Sequence, residues 1–273
     1  MTEEDGPGIA QSIPMPDSRK LTEEDLEKLK KQDLVTPFKQ NKLELEAQAN
    51  WDRFYHRNKD NFFKDRNWSP KEVQDLCVGI DLTAEITYLE AGCGVGNMLF
   101  PLASAYPNLR LQGFDFSKNA VQLLKKRAEE LQIAVESDVI DLTQLMERNP
   151  FGQEADLATL IFVLSAIHPD KQQQVVENMV KFVKIGGSVI VRDYGINDYA
   201  MISFGRGAKL ADRFYVRQDG TRAFYFKTEE LTSLFETAGF ETERCEYLHR
   251  QTYHQRTVNV PRIFVQARFK RIK

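Results

Sequence analysis

The sequence predicts an α/β fold with a mostly parallel central sheet and a helical segment ahead of it. Three observations predict it. From about residue 81 onward, short β-branched and aromatic runs alternate with amphipathic helical stretches. One of those runs breaks into a loop with glycine at every second position, Gly92-Cys-Gly94-Val-Gly96. The predicted strands end in Gly92, Asp115, Asp138, Ser165 and Asp193, at the sheet edge where α/β folds bind ligands.

Taken in order, the first 20 residues carry Gly6, Pro7, Gly8, Pro14 and Pro16 among acidic and polar residues. They read as a disordered tail, without the apolar core of a secretory signal or the arginine-rich pattern of a mitochondrial one. Leu21-Thr22-Glu-Glu-Asp25-Leu26 has the form of a capped helix start with a hydrophobic staple. Leu43, Ala47, Trp51 and Tyr55 follow as a stripe at four-residue spacing. On pattern alone, core packing explains Trp51 and Tyr55 more readily than ligand contact does. Phe62, Phe63, Arg66 and Trp68 crowd a connector before the helix start Ser69-Pro70, and such a loop either staples the extension to the sheet or serves as a lid. Residues 21–80 therefore form an N-terminal helical extension with an aromatic and basic loop. Residues 81–273 form the α/β domain, with an insertion at about 194–226.

Within that domain, Ile86 to Leu89 make the first strand and Leu109 to Phe114 the second, ending in Asp115. Ser117 then caps a helix running to Leu131. Ile133 to Val139, Leu157 to Leu164 and Ser188 to Val191 are the next strands. Between the last two, Val175, Val176, Met179, Val180 and Val183 mark a helix over Pro169 to Val183, ended by Gly186-Gly187.

The glycine loop carries the chemistry. Only glycine turns the chain with positive φ while letting backbone and ligand approach closely. A dinucleotide fingerprint would place its third glycine or an alanine where Asn97 stands, so the spacing favours adenosylmethionine over NAD. Asp115 lies 23 residues beyond Gly92, at the next strand end, where a carboxylate accepts from ribose hydroxyls. Without the glycine loop beside it, an ordinary turn aspartate would be the better reading. At the third strand end, Asp138 would take the adenine amine and Val139 its ring; a plain turn role for Asp138 and the competing Asp141 stay open.

Composition bounds the function class. The chain has 273 residues, 42% of them hydrophobic, enough for a substantial core. No apolar run approaches the roughly 20 residues of a membrane helix. Cys77, Cys93 and Cys245 lack metal-ligand spacing and are odd in number, which suits reduced thiols in a cytoplasmic or nuclear protein, and no metal is expected. Net charge is −3, but residues 201–273 hold 14 basic and 8 acidic side chains against 23 and 32 in residues 1–200. Arg206, Lys209, Arg213, Arg217 and Arg222 interleave there with Phe204, Phe214, Tyr215, Phe224, Tyr225 and Phe226. Arginines on phosphates beside an aromatic that stacks on a base would bind nucleic acid, and a solvated face over a half-buried hairpin explains the pattern nearly as well.

Several segments together resemble the tRNA N3-methylcytidine methyltransferases: Asn50-Trp-Asp-Arg-Phe-Tyr55, Phe62-Phe-Lys-Asp-Arg66, Glu90-Ala-Gly-Cys-Gly-Val-Gly-Asn97, Phe114-Asp-Phe-Ser117, Leu160 through Lys171, Arg192-Asp-Tyr-Gly195 and Phe214 through Arg222. Val216-Arg-Gln-Asp-Gly and Val260-Pro-Arg-Ile look most like the branch acting on serine tRNAs. The resemblance implies a class I, Rossmann-like, seven-stranded fold dependent on S-adenosylmethionine. It implies methylation of the cytidine at position 32, where the anticodon loop begins, with help from seryl-tRNA synthetase. Carried over by motif, Trp51, Tyr55, Gly92, Asp115, Asp138 and Ile161 would contact the cofactor, which overturns the core-packing preference for the two aromatics; Glu90, Gly94, Gly96 and Val139 complete the cofactor-binding candidates. Phe62, Phe63, Arg66, Arg192, Arg217 and Arg222 are the substrate-binding candidates.

Asp193 and Tyr194 are the catalytic candidates. Ring N3 of cytosine exposes a lone pair and needs no proton removed, so positioning carries most of the catalysis. Asp193 would stabilise the charge that develops on the base, or only orient Arg192 or Tyr194. Two rivals share parts of the pattern. A small-molecule methyltransferase would keep the glycine loop but leave the basic excess unexplained, and a non-catalytic tRNA or synthetase adaptor would not need an intact loop and Asp115.

Overall fold

A computed structural model of the protein describes residues 13–58, 74–254 and 258–273. In chain order the elements are β1 (Ile13–Met15), α1 (Glu23–Lys30), α2 (Pro37–Leu45), α3 (Ala47–Asn58), β2 (Thr87–Ala91), α4 (Leu99–Ala105), β3 (Arg110–Asp115), α5 (Lys118–Leu131), β4 (Val135–Val139) and β5 (Ala155–Ile161). There follow α6 (Pro169–Met179), β6 (Val183–Tyr194), α7 (Tyr199–Ser203), β7 (Lys209–Ala211), β8 (Phe214–Val216), β9 (Arg222–Phe224), α8 (Thr228–Thr237), β10 (Phe240–His254) and β11 (Val258–Arg271).

The main sheet has eight strands in the order β1-β10-β11-β6-β5-β2-β3-β4. From β4 to β6 the pairing is parallel, and β11 enters antiparallel between β6 and β10. The seven strands β10, β11, β6, β5, β2, β3 and β4 are the expected core, and β1 adds an eighth. The chain leaves β2 outward through β3 and β4 and returns as β5 on the other side of β2, so the glycine loop leaves β2 at the point where strand order reverses. A crevice forms there because the flanking crossovers diverge. All five residues of β2 are buried, as a strand covered on both faces requires. Among the described residues no helix is long and apolar enough to cross a membrane.

Three boundaries differ from the sequence reading. The tail expected to be disordered through residue 20 is paired from residue 13: Ile13, Pro14 and Met15 lie antiparallel to His249, Leu248 and Tyr247. Ser18 Oγ then donates to the Ile196 carbonyl at 2.6 Å. A short edge strand leaves no periodic apolar pattern to read. The fifth strand stops at Ile161, because Phe162 takes φ +58° and Leu164–Ala166 form a 3-10 turn. The helix after Pro169 ends at Met179, and β6 already begins at Val183 and runs through Gly186-Gly187.

Thr22 caps α1 as expected, in a reciprocal pair with Asp25. The stripe from Leu43 to Tyr55 is split at Glu46 into α2 and α3. This extension is pinned to the insertion, whose β7, β8 and β9 form a separate antiparallel sheet. Gln32 is buried and donates to the carbonyls of Met201 at 3.1 Å and Phe204 at 3.2 Å, while Tyr215 Oη donates to its Oε1 at 2.8 Å. Glu44 bridges Lys171, at 2.5 Å, and Arg222. Burial and two cations act in opposite senses on Glu44, and the net effect lowers its carboxyl below the usual range. The anchors place α2 and α3 over the carboxyl ends of the parallel strands.

Candidate active site

Two adjoining cavities, of about 340 Å³ and 220 Å³, open at those strand ends. Trp51, Tyr55, Gly92, Phe162, Ala166 and Arg222 line both. The larger adds Phe114, Asp115, Phe116, Ile140, Asp141 and Leu142, among others; the smaller adds Glu90, Gly94, Ile161, Tyr194, Arg217 and Asp219.

The glycine loop is built for close approach. A Cβ on Gly92 would stand 2.5 Å from Val163 Cγ2, and one on Gly94, at φ +55°, would stand 2.7 Å from the Tyr55 hydroxyl. The loop backbone therefore meets the α3 aromatics with no room for a side chain. Gly94 N donates to Asp115 Oδ2 at 2.9 Å, and Asp115 Oδ1 accepts from Ser117 N at 2.9 Å. One carboxylate thus ties the loop to the start of α5. Burial pushes Asp115 up to about 6, against the pull of those backbone donors.

The residues fit adenosylmethionine. The larger cavity offers apolar walls at Phe114, Phe116 and Ile140 with the carboxylates Asp115 and Asp141 as acceptors, a set that suits the ribose hydroxyls and amine of a purine nucleoside. Glu90, two residues before Gly92, supplies a carboxylate to the smaller cavity, where an amino-acid end with its ammonium group fits. Trp51, Tyr55, Glu90, Gly92, Gly94, Asp115 and Ile161 all lie where the sequence reading puts them.

Other candidates are corrected. Gly96 lines neither cavity; a Cβ there would meet Phe100 at 2.5 Å and Leu124 at 2.8 Å, so it lets α4 and α5 close up behind the loop. Asp138 and Val139 are exposed and line neither cavity, and Asp138 Oδ1 accepts from Val139 N at 2.7 Å. Beyond β4 the Ile140 amide donates to the Asp115 carbonyl at 3.1 Å, and Asp141 then closes a turn by accepting from Thr143 N at 2.9 Å. That turn brings Ile140 and Asp141 to the cavity in their place. Arg192 is buried, and its guanidinium bonds Gln266 Oε1 on β11. Residues alternate across β6, so Arg192 and Asp193 project from opposite faces of the sheet, and Arg192 lines neither cavity.

Asp193 is fully buried and lines neither cavity. Its Oδ2 accepts from Ser165 N and its Oδ1 from Tyr194 N, both at 2.9 Å. Burial raises its carboxyl to about 6. It holds the backbone at Ser165 and Tyr194 from behind the cavity wall. Tyr194 does line the smaller cavity, with its ring 4.8 Å from Phe162 and the Arg217 guanidinium 5.3 Å from its centroid. Arg217 and Arg222 line the cavity as expected, although Arg222 is already paired with Glu44. Phe62, Phe63 and Arg66 lie outside the described residues.

Phe162 and Asp219 are cavity residues that pattern reasoning passed over, and Asp141 it held only as the competitor to Asp138. Phe162 continued an apolar run and gave no sign of leaving the strand. Its positive φ, costly for an aromatic residue, is held by its amide donating to the Arg192 carbonyl at 2.8 Å.

A glycine cradle after the first strand of the main core, an acidic second-strand end and a cavity at the reversal of strand order define an adenosylmethionine-dependent methyltransferase. The methyltransferase-domain family matches residues 89–189. Among solved structures, a SAM-dependent methyltransferase from Anabaena variabilis aligns with TM-score 0.62 at 18% identity, over 82% of this chain and 95% of that one. N-methyltransferase NodS from Bradyrhizobium japonicum, in complex with S-adenosyl-L-homocysteine, aligns with TM-score 0.52 at 18% identity, over 84% of this chain and all of that one. In sequence, the mouse tRNA N(3)-cytidine methyltransferase METTL6 is 47% identical over 93% of this chain and 92% of its own length. The Schizosaccharomyces pombe tRNA N(3)-methylcytidine methyltransferase trm141 is 35% identical over 85% and 95%. The chain belongs to the tRNA N(3)-cytidine methyltransferase family: it is an adenosylmethionine-dependent enzyme whose substrate is tRNA.

Proposed function

We propose that the protein methylates ring N3 of the cytidine at position 32 in serine tRNAs, assisted by seryl-tRNA synthetase. The N3 reading is carried by the family to which the chain belongs, and the crevice suits it: Trp51, Tyr55 and Phe162 join the two cavities, and Tyr194, Arg217 and Arg222 line the smaller one beside the cofactor loop. When bound, adenosylmethionine supplies a methyl group whose transfer to N3 breaks the methyl–sulfur bond and moves the positive charge from sulfur to the base. Cytosine needs no base to activate N3, so the chain's task is to hold the flipped nucleotide in line. Tyr194 offers a ring for stacking, and Asp193 fixes its backbone from behind. Carbon 5 of the base would need a thiolate. Cys93 lines the smaller cavity, but burial pushes its thiol well above the usual range, which favours N3 over carbon 5.

The serine branch is supported by Val216-Arg-Gln-Asp-Gly220 and Val260-Pro-Arg-Ile263. A helper that brings its own tRNA affinity suits a chain with a net charge of −3. A cytoplasmic and also nuclear location belongs to the same proposal. The test compares serine and threonine tRNA transcripts, each with and without the matching synthetase. Product on serine tRNA, increased by seryl-tRNA synthetase, is the expected result; product confined to threonine tRNA, or indifference to the synthetase, overturns the corresponding part.

Arg217→Ala should weaken tRNA binding by roughly 10-fold, the scale of one cation–π and phosphate-type contact, with adenosylmethionine affinity unchanged. Fluorescence anisotropy with labelled tRNA and calorimetry with the cofactor separate the two. Loss of cofactor affinity would instead move Arg217 to the cofactor side.

A further inference from the structure

Asp219 is a carboxylate in the smaller cavity to which the chemistry so far gives no task. It sits in the turn between β8 and β9, where Gly220 N donates to the Arg217 carbonyl at 3.0 Å and Arg217 N to the Thr221 carbonyl at 2.7 Å. Asp219 Oδ1 accepts from Thr221 N at 2.9 Å and from Thr221 Oγ1 at 2.6 Å. Among the described residues its Oδ2 accepts no hydrogen bond. The turn is clamped from α3. Asn50 Nδ2 donates to the Gly220 carbonyl at 3.2 Å, and the Asn50 side chain lies 2.8 Å from where a Cβ on Gly220 would stand. One oxygen is thus spent on fixing the turn, and the other has no protein hydrogen bond among the described residues on a side chain that lines the smaller cavity.

The smaller cavity has a second carboxylate, Glu90, but it precedes Gly92 by two residues and belongs with the cofactor loop. Asp219 comes from the insertion hairpin, beside Arg217 and Arg222. Cytosine carries an exocyclic amine next to N3; uracil carries a carbonyl there and a proton on N3. A carboxylate accepts from the amine and repels the carbonyl. Methylation at N3 also places positive charge on the ring and its amine, so the same hydrogen bond strengthens as the methyl group arrives.

We infer that Asp219 Oδ2 accepts from the exocyclic amine of the acceptor cytosine, selecting cytidine over uridine and stabilising the charge that develops on the base. The inference rests on the proposed cytidine substrate. It assigns to Asp219 the stabilising role that the sequence reading offered to Asp193.

The test uses the full chain, S-adenosylhomocysteine as the bound cofactor for binding, and serine tRNA carrying either C or U at position 32. Asp219→Asn keeps Oδ1 for the turn and removes the charge. It should lower kcat/KM for 3-methylcytidine formation roughly 10- to 100-fold and shrink the binding preference for C over U by a similar factor, with cofactor affinity unchanged. Thr221→Val removes a donor to Oδ1 and serves as the turn control: it should keep the preference for C over U. The inference is overturned if wild-type enzyme makes 3-methylcytidine while Asp219→Asn retains both rate and preference, or if Thr221→Val loses the preference to the same extent. If the wild type makes no 3-methylcytidine on any tRNA, the proposed substrate fails first and the inference with it.

Discussion

Replacing Asp115 with alanine should raise the dissociation constant for adenosylmethionine by about 100-fold or more, the scale of two hydrogen bonds to a charged acceptor. tRNA binding should survive. The carboxylate is buried in the larger cavity, and the side chain also holds Gly94 N and Ser117 N. Alanine therefore removes the ribose acceptor and releases the glycine loop together. The same group sets a pH dependence. Its carboxyl titrates at about 6, so it is ionised and accepting above that value and protonated below it. Cofactor affinity should be level from pH 8 to about 7 and fall by up to about tenfold per unit below about 6. Calorimetry across that range checks it, and affinity that stays level down to pH 5 would remove Asp115 from the ribose site.

Gly94→Ala is the second large effect expected: a loss of cofactor affinity exceeding about 10-fold, from left-handed strain of about 1–2 kcal/mol added to a collision. The collision is specific. The new Cβ would stand 2.7 Å from the Tyr55 hydroxyl but 3.4 Å and 3.5 Å from the ring carbons Cζ and Cε1, which are ordinary contacts. Removing the hydroxyl should therefore relieve it. Gly94→Ala with Tyr55→Phe should bind adenosylmethionine more tightly than Gly94→Ala alone, and a double variant no better than the single one would show that backbone strain, not Tyr55, limits the loop.

Much of this site was legible because its chemistry sits at strand ends that periodicity marks. Gly92 and Asp115 follow apolar runs, and any residue at such an end reaches the crevice by fold geometry alone, whereas Ile161 came from the family resemblance, since periodicity carried its strand on to Leu164. Trp51 and Tyr55 were ambiguous for a physical reason: a stripe at four-residue spacing is the same whether it packs on a core or roofs a cavity, and here Tyr55 is 6% exposed while lining both cavities. Asp138 against Asp141 turned on a backbone turn just past β4, three residues of shift that propensity does not resolve. Arg192 was misplaced for another reason, and Asp193 keeps only the orienting half of its reading, through Tyr194 N. The motif identified them as important, but strand alternation and neutral partners such as Gln266 and Ser165 put one guanidinium and one carboxylate inside the protein. Asp219 entered only as part of the segment Val216-Arg-Gln-Asp-Gly, and only the packing of α3 on that turn shows that it lines the smaller cavity.

Incubation of the purified protein with unmodified serine tRNA, seryl-tRNA synthetase and labelled adenosylmethionine, followed by nucleoside mass spectrometry, tests the central claim most directly. Labelled 3-methylcytidine, absent with Asp115→Ala, is the predicted product. Label in 5-methylcytidine or N4-methylcytidine, or none despite measurable cofactor binding, would contradict it.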